Sequence, residues 1–505
     1  MENCVSSADG VSPAGRHDLL HQVAAILAGE QGVDLSGKKD SPEQDSCHGT
    51  SPAPPKKDLQ PLAEKANETS RSKKPHPTGC SSNRAGPGFI PRAPDSLEKA
   101  GLTEAQVEEL ILKFLAVRAA ATGRETTEEL KLPFGLIHII LRRMKEDRLV
   151  AYKAATAMID YVYELTEAGR ERARQYRTHC SYVGAAPVPL EDYAAAIEAQ
   201  SACKCHPRLR DLRRAFGDLV LDDEILGQLG QAINSGLALF LYGQPGNGKT
   251  SIAERVTRAF GEYLWIPQAI LAAGEIIRLY DPSNHENLLQ DASDTLLEEE
   301  RIDRRWVCIR RPTIVAGGEL TLDSLELSTD PISHVSEAPL QMKSNGGTLV
   351  IDDFGRQRIR PAELLNRWIV PLEKRRDYLS LPNGRKIEVP FDQLIIFSTN
   401  MEPRDLVDEA FLRRIPYKID VQDPTEEQFR QMFADLAPRM GLECQPGSVD
   451  YLLRTHYTEA ERPMRFCHAR DLLHQVRVFC DFHERPMHVT RETLDAAVKS
   501  YFAVM

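Results

Sequence analysis

The spacing of apolar residues predicts that regular structure begins near Thr103. Thr103 and Gln106 form a capping box, and the apolar residues after them recur on one helical face. A short helix follows, and Pro133 opens another whose inward positions are predicted to be Leu136, Ile137, Ile140, Leu141 and Met144. Two strand-like pieces and a helix opened by Thr166 complete a small domain.

The order of three helices, two strands and a closing helix resembles the winged-helix fold, and YELTEAGRERA resembles that family's wing-to-helix transition. The third helix carries basic residues that could meet DNA phosphates: Arg142, Arg143, Lys145 and Arg148. Residues 98–178 nevertheless contain 14 Lys and Arg against 13 Asp and Glu, a net charge of +1. Because DNA-binding surfaces are usually strongly basic, a protein-contact or structural role is favoured over DNA binding.

Three apolar runs after residue 236 each predict a buried strand. They are residues 237–242, the LVI of LVIDDFG, and the run FDQLIIFST that precedes Asn400. Between the last two runs, YLSLPNGRKIEVP alternates around Asn383-Gly384, which predicts a β-hairpin. From Pro424 onward the chain is predicted to be mainly helical.

The first of these strands runs into GQPGNGKT, which matches the phosphate-binding pattern G-x-x-x-x-G-K-[ST] and precedes an amphipathic helix. Glycines let backbone N–H groups turn toward phosphate oxygens, and the helix N-terminus adds its positive dipole. Lys249 is expected to reach the β- and γ-phosphates of ATP, and Thr250 to bind Mg2+. The predicted nucleotide-binding residues are Gly243, Gln244, Pro245, Gly246, Asn247, Gly248, Lys249, Thr250 and Ser251.

The second strand ends in two adjacent acids, Asp352 and Asp353. The first is the expected ligand of Mg2+, and the second is the expected acid that activates the attacking water. Glutamate is commoner at the second position, and the shorter aspartate must either sit closer to the water or act on a slightly shifted nucleotide. Asn400 is suited to orienting that water. Arg413 and Arg414, on a predicted helix end, could present cations to the γ-phosphate of a neighbouring subunit.

Together these motifs resemble the AAA+ ATPase superfamily over about residues 207–505. The resemblance implies that GQPGNGKT is Walker A, the acid pair is Walker B, and Asn400 is sensor 1. It implies that Arg413 and Arg414 are paired arginine fingers.

The same resemblance implies a helical lid after Pro424, with Arg470 as sensor 2 and Arg465 as the alternative, and an adenine pocket that begins at 216–221. Two clades share features with the chain. The acid pair is similar to that of bacterial replication initiators and helicase loaders, whereas the hairpin is similar to that of MoxR-type chaperone ATPases. The insertion at 264–345 could contact a partner or add strands to the sheet.

The predicted fold class is α/β, a P-loop NTPase parallel sheet flanked by helices, with a C-terminal helical lid and an N-terminal α+β winged helix. Residues 1–95 are rich in Ser, Pro, Gly and charged residues, which predicts a disordered tail. The remaining regions are predicted to be a winged-helix domain at 96–180, a linker at 181–206, an α/β nucleotide-binding domain at 207–421 and a helical lid at 422–505.

The net charge of -11 argues against a chain that coats nucleic acid through bulk charge. Ten scattered cysteines favour a reducing compartment, and no apolar run is long enough for a membrane span, so a cytoplasmic location is expected. Cys203, Cys205 and His206, with Cys180 and His179, lack the usual C-x2-4-C spacing of a zinc site, which favours free thiols.

The leading functional hypothesis is an ATPase that forms a homo-hexamer and uses ATP and Mg2+ at subunit interfaces to remodel a protein partner, as chaperones do. A DNA-directed ATPase, a helicase loader or regulator that binds DNA through the winged helix, is the first alternative. The second is a nucleotide switch that binds ATP and hardly turns over.

Overall fold

The computed structural model describes residues 89–155, 160–289 and 302–503. Residues 1–88 of the predicted tail lie outside the described part of the chain. In chain order, the described α-helices α1 to α16 are Glu104–Arg118, Gly123–Leu130, Phe134–Glu146, Glu167–His179, Leu190–Ala199, Leu209–Ala215, Asp223–Ser235, Lys249–Val256, Leu340–Lys343, Pro361–Lys374, Pro403–Leu406, Glu409–Leu412, Glu426–Arg439, Ser448–Leu452, Phe466–Phe482 and Arg491–Tyr501. The described strands β1 to β19 are Ala120–Thr122, Val150–Ala155, Tyr161–Leu165, Val188–Pro189, Leu239–Tyr242, Tyr263–Pro267, Ala269–Ala272, Glu275–Arg278, Trp306–Arg310, Thr313–Ala316, Ser328–Thr329, Ser336–Glu337, Thr348–Ile351, Arg376–Ser380, Lys386–Pro390, Leu394–Thr399, Tyr417–Asp420, Glu443–Cys444 and His488–Val489.

The N-terminal region consists of helices α1 to α4 and the antiparallel sheet β1-β3-β2. The predicted capping box of Thr103 and Gln106 opens α1. On α3 the predicted inward residues are buried except Leu136, which is half-buried. The apolar pattern does not predict β1, because three small residues carry no periodicity. The elements follow the expected order with β1 added, and assignment to the winged-helix family stays a prediction.

The centre of the chain is a five-stranded parallel sheet in the order β10-β13-β16-β5-β17. One face packs on α7 and α8, and the other packs on α10. All six residues of β16 are buried, as expected for a strand covered on both faces. The chain therefore has the predicted mixed α/β fold, built on a parallel sheet flanked by helices.

The three predicted strands are the central ones, β5, β13 and β16, whereas the sequence pattern did not predict the edge strands β10 and β17. Each edge strand mixes buried with exposed positions; Val315 of β10, for example, is 40% exposed. An edge strand is covered less completely than a central one, so its sequence lacks the continuous apolar run.

The region 264–345 contains three different structures. Strand β6 pairs with β9, strands β7, β8, β11 and β12 join a second sheet, and β10 belongs to the central sheet. The second sheet does not extend the central one. The predicted hairpin around Asn383-Gly384 forms as β14 and β15.

Residues 181–206 fold as part of the body, which corrects their prediction as a linker. They include β4, which pairs with β7, and α5, whose Tyr193 is fully buried. The side chain of Gln200 accepts from the backbone N–H of Trp265 at 2.8 Å and donates to its carbonyl at 3.0 Å. One apolar cluster joins α5, the β6–β9 ribbon and the β14–β15 hairpin. The small residues of this segment, which suggest a linker in the sequence, are in several cases buried by tertiary contacts: Ala185, Ala186, Val188 and Ala196.

Helices α13 to α16 form a separate apolar cluster at the C-terminal end, where a helical lid was predicted. In the described ranges, no helix combines the length and the apolar character needed to cross a membrane.

A buried ion pair in the loop before β9 connects the N-terminal region to the segment that leads into β4 of the second sheet. The side chains of Arg305 and Asp303 are 3% and 4% exposed, and their closest atoms, Nη2 and Oδ2, are 2.7 Å apart. Arg305 Nη1 also donates to the carbonyls of Ala100 at 2.8 Å and Pro187 at 3.2 Å. One guanidinium thus satisfies a buried carboxylate and two buried carbonyls from distant parts of the chain.

We expect Arg305→Ala to lower the free energy of unfolding by about 3 to 5 kcal/mol, because it leaves the Asp303 carboxylate buried and unpaired. Urea titration followed by circular dichroism measures this change. Arg304→Ala is the matched control: Arg304 pairs with Glu128 at the surface, where such a pair contributes about 0 to 1 kcal/mol. Equal losses in the two variants would contradict the role given to the buried pair.

Candidate nucleotide site

The candidate site lies where β5, β16 and β13, neighbours in the central sheet, reach their carboxyl ends. Parallel strands end at the same edge of a sheet, so the loops that follow them meet. These loops carry Lys249, Asn400 and the acids Asp352 and Asp353. Strand β16 lies between the other two, which places Asn400 between the lysine and the acids.

The phosphate-binding loop has three glycines with positive φ, Gly243, Gly246 and Gly248, and at the first two a Cβ would also lack room. Gly243 has a φ of +134°, and a Cβ there would lie 2.6 Å from the Val421 carbonyl oxygen. Gly246 has a φ of +86°, and a Cβ there would lie 2.5 Å from Cys467 Sγ at the start of α15. The loop is therefore packed closely between the sheet and the C-terminal helices.

Lys249 is the centre of a hydrogen-bond network. Its ammonium group donates to the carbonyls of Gly243 and Gln244, both at 3.0 Å, and to Asn400 Oδ1 at 2.6 Å. The residue is only 7% exposed. Burial lowers the pKa of Lys249 below its usual value, and the carboxylates of Asp352 and Asp353 oppose that shift.

The two acids differ in their surroundings. Asp352 Oδ2 accepts from the hydroxyl of Thr250 at 2.9 Å, so the two predicted metal ligands are adjacent. Asp353 is exposed, has a φ of +49°, and accepts from Asn400 Nδ2 at 3.3 Å. Aspartate adopts this left-handed region more readily than most residues, which gives a backbone reason for aspartate in the second position.

Most of the predicted nucleotide-site residues line one cavity of about 850 Å³. The predicted residues that line it are Pro245, Gly246, Asn247, Gly248, Lys249, Thr250, Ser251, Asp352, Asp353, Asn400 and Arg470. Gly243 and Gln244 contribute their carbonyls to Lys249 instead. The segment 217–221 forms one wall, and Met432 and Leu436 of α13 form another. The cavity thus combines a polar end with partly apolar walls.

Arg356 also lines this cavity, and the sequence analysis missed it. It is exposed and lies three residues after Asp353, in the loop that follows β13. The available signal was the run of three alternating arginines, Arg356, Arg358 and Arg360, that comes after the acid pair.

The two predicted lid arginines, Arg470 and Arg465, and the two predicted finger arginines, Arg413 and Arg414, lie in different surroundings. Arg470 lines the cavity with a side chain that is 70% exposed, and its Nε donates to Asp471. Arg465 pairs with Asp423 and is 16% exposed. Arg413 lines a separate groove beside Tyr242 and Lys418, and Arg414 Nε donates to Glu373 at 2.6 Å.

Neither Arg413 nor Arg414 lines the cavity of its own chain. No group of three or more His, Cys, Asp or Glu residues that could hold a metal ion occurs in the described ranges.

A family model described as a domain of unknown function (DUF8689) matches residues 425–500. No curated protein matches the sequence. Among solved structures, NtrX from Brucella abortus is 14% identical, with a TM-score of 0.36 over 57% of this chain and 58% of that chain. The same protein in complex with ATP is 15% identical, with a TM-score of 0.35 over 59% and 60%.

The Holliday junction branch migration motor RuvB from Thermotoga maritima is 12% identical, with a TM-score of 0.33 over 56% of this chain and 70% of that chain. This chain thus spans less than two thirds of the NtrX chains that it matches. Because these TM-scores lie below 0.5, the similarities assign neither a family nor an activity.

His468 of α15, close to the cavity, is buried, and its Nδ1 lies 3.0 Å from the Tyr457 hydroxyl. Burial lowers its pKa from 6.5 to about 4. The unfolded chain therefore binds more protons than the folded one between these values, and stability falls as the pH drops from 6.5 to 4.

We expect His468→Gln to flatten the decline of the melting temperature over this pH range, because glutamine does not titrate. Differential scanning fluorimetry between pH 7.5 and 4 measures the melting temperature of each variant. His474→Gln, at an exposed position of the same helix, is expected to follow the wild-type curve. If the melting temperature of His468→Gln fell with pH as steeply as that of the wild type, His468 would not be the cause of the decline.

Proposed function

We propose that the chain is an ATP hydrolase of the AAA+ type that works as a homo-hexameric ring. The proposal rests above all on one network: Lys249 and Thr250 from the glycine-rich loop meet Asn400 and Asp352 from two other strand ends at 2.6 and 2.9 Å. A glycine-rich turn that served only to connect a strand and a helix would not require an ammonium group, a hydroxyl, an amide and a carboxylate beside one cavity.

In this proposal Thr250 and Asp352 would hold Mg2+, which takes few oxygen ligands from a protein and retains several waters. The metal would neutralise charge on the β- and γ-phosphate oxygens. Lys249 exchanges its contacts with Asn400 and the loop carbonyls for phosphate oxygens. Asn400, freed from the ammonium group, and Asp353 then orient the attacking water. The water oxygen bonds to the γ-phosphorus while the bond from that phosphorus to the β–γ bridging oxygen breaks; ADP leaves, and the Asp353 carboxylate accepts the water proton.

The location of Arg413 supports catalysis between subunits. It is exposed, outside the cavity of its own chain, on the surface beside β5 and β17. Arg414 is held by Glu373 of its own chain, so Arg413 is the better candidate for the finger that stabilises a neighbour's transition state.

We further propose that the ring acts on a protein partner and that the N-terminal region selects it. The arginines of α3 are paired with nearby carboxylates: Arg142 with Glu146, and Arg143 with Glu104 and Asp147. These pairs reduce the positive field that duplex DNA would require. This favours protein recognition over the DNA-directed alternative.

We expect Lys249→Ala to abolish ATP binding and Asp353→Asn to bind ATP but release phosphate at least about 10²-fold more slowly than wild type. Titration of a fluorescent ATP analogue and a steady-state phosphate assay measure the two steps. Tight binding without turnover in the wild type would instead favour the nucleotide switch. Undiminished turnover in Asp353→Asn would remove this residue from its proposed role.

We expect Arg413→Ala to bind ATP normally and to lose about 10³-fold in turnover, because the neighbouring subunit lacks its finger. Arg414→Ala is the matched control, with a much smaller loss. Mixing Arg413→Ala with Asp353→Asn subunits at equal amounts should restore about a quarter of wild-type turnover, since one interface in four then has both groups intact. A mixture as inactive as its components would reject catalysis between subunits.

A further inference from the structure

Asp423 lies in the short segment between β17 and α13, where the parallel sheet leads into the C-terminal helices. Its Oδ1 accepts from Asn247 Nδ2 at 2.7 Å and from Arg465 Nη1. Asn247 belongs to the phosphate-binding loop, and Arg465 is the N-cap residue of α15. One carboxylate oxygen therefore connects the phosphate-binding loop, the segment 421–425 between β17 and α13 (the hinge segment) and the C-terminal helices.

The contact with Asn247 is well defined. Asn247 is 2% exposed, and its Nδ2 also donates to the Val421 carbonyl at 3.1 Å. Both neighbours are acceptors, so the amide must turn its NH2 group toward the hinge. Among the described residues, Asn247 Oδ1 has no hydrogen-bond partner. The amide is thus oriented by the hinge segment, and a change there reaches the loop.

The start of α15 also touches the loop directly. The backbone N–H of Cys467 donates to the Gly246 carbonyl at 2.9 Å. The Arg465 Cβ and the Cys467 Sγ lie on the side of Gly246 where a Cβ would project. A displacement of α15 therefore reaches Gly246, the chain neighbour of the Asn247 that Asp423 contacts.

Arg465 lies within electrostatic reach of the phosphate-binding lysine. After burial and the opposing Asp352 and Asp353 carboxylates, the Arg465 charge is a further cause of the lowered pKa of Lys249. The Arg465 side chain is 16% exposed, whereas its partner Asp423 is 39% exposed. A carboxylate that is partly in water binds an arginine only weakly, so a stronger anion can displace it.

We propose that Asp423 is a positioning residue that withholds Arg465 from the phosphate site until a triphosphate draws the guanidinium away. This inference rests on the proposed ATPase function. A triphosphate carries several negative charges and offers arginine a bidentate contact, so it competes well with one half-exposed carboxylate. Moving Arg465 also removes one of the two donors on Asp423 Oδ1, which links nucleotide binding to the position of α15.

The test is a double-mutant cycle on ATP affinity with Asp423→Asn and Arg465→Gln, measured by calorimetry on the full chain. Asp423→Asn removes the competing charge and is expected to tighten ATP binding about tenfold, the effect of one charged hydrogen bond. Arg465→Gln is expected to weaken it about tenfold by the same reasoning. In the Arg465→Gln background, Asp423→Asn should then change ATP affinity by less than about twofold.

Two variants serve as controls. Glu427→Gln removes one exposed charge nearby on α13 and should leave ATP affinity unchanged. Asp423→Glu keeps the charge and should retain wild-type affinity, which separates the electrostatic effect from damage to the hinge. An effect of Asp423→Asn that is equal in both Arg465 backgrounds, or that weakens ATP binding, would overturn the inference. A wild-type protein that binds no ATP would instead reject the proposed function.

Discussion

The parallel alignment of β5, β16 and β13 is the constraint on which the candidate site depends. The hydrogen bond from Lys249 to Asn400 Oδ1 at 2.6 Å joins groups that are 151 residues apart in the sequence. The two strands that position them are direct neighbours. Because all five strands of the central sheet run in the same direction, their loops converge at one edge, and the polar groups they carry come within hydrogen-bond distance.

The C-terminal helices complete the site from the other side. The backbone N–H of Cys467 in α15 donates to the Gly246 carbonyl of the phosphate-binding loop, and Asp423 links Asn247 of that loop to Arg465 at the start of α15. The apolar core of these helices is separate from the two cores of the sheet. A site formed between separate cores can respond to a ligand through its polar contacts while each core stays packed.

The N-terminal region, in contrast, is attached to the rest of the chain through buried contacts. Its contacts with the second sheet are buried, and Arg305 alone binds Asp303 and two distant carbonyls. Desolvated charges are costly unless every partner is present, so this arrangement tolerates little displacement. One apolar cluster joins the N-terminal region to the second sheet, and another joins the second sheet to the β14–β15 hairpin.

The sequence by itself determined the local features: the capping box at Thr103, the turn at Asn383-Gly384, the three central strands, and the glycine-rich loop with its lysine and acid pair. Each depends on neighbours within a few residues, so its signal is contained in a short segment. Only the tertiary structure decided that 181–206 is folded, that 264–345 supplies both a sheet edge and a second sheet, and that Arg356 lines the cavity. It also decided that Asp423 meets Asn247, 176 residues away. These outcomes depend on which distant surfaces pack together, and no spacing of residues along one segment records that.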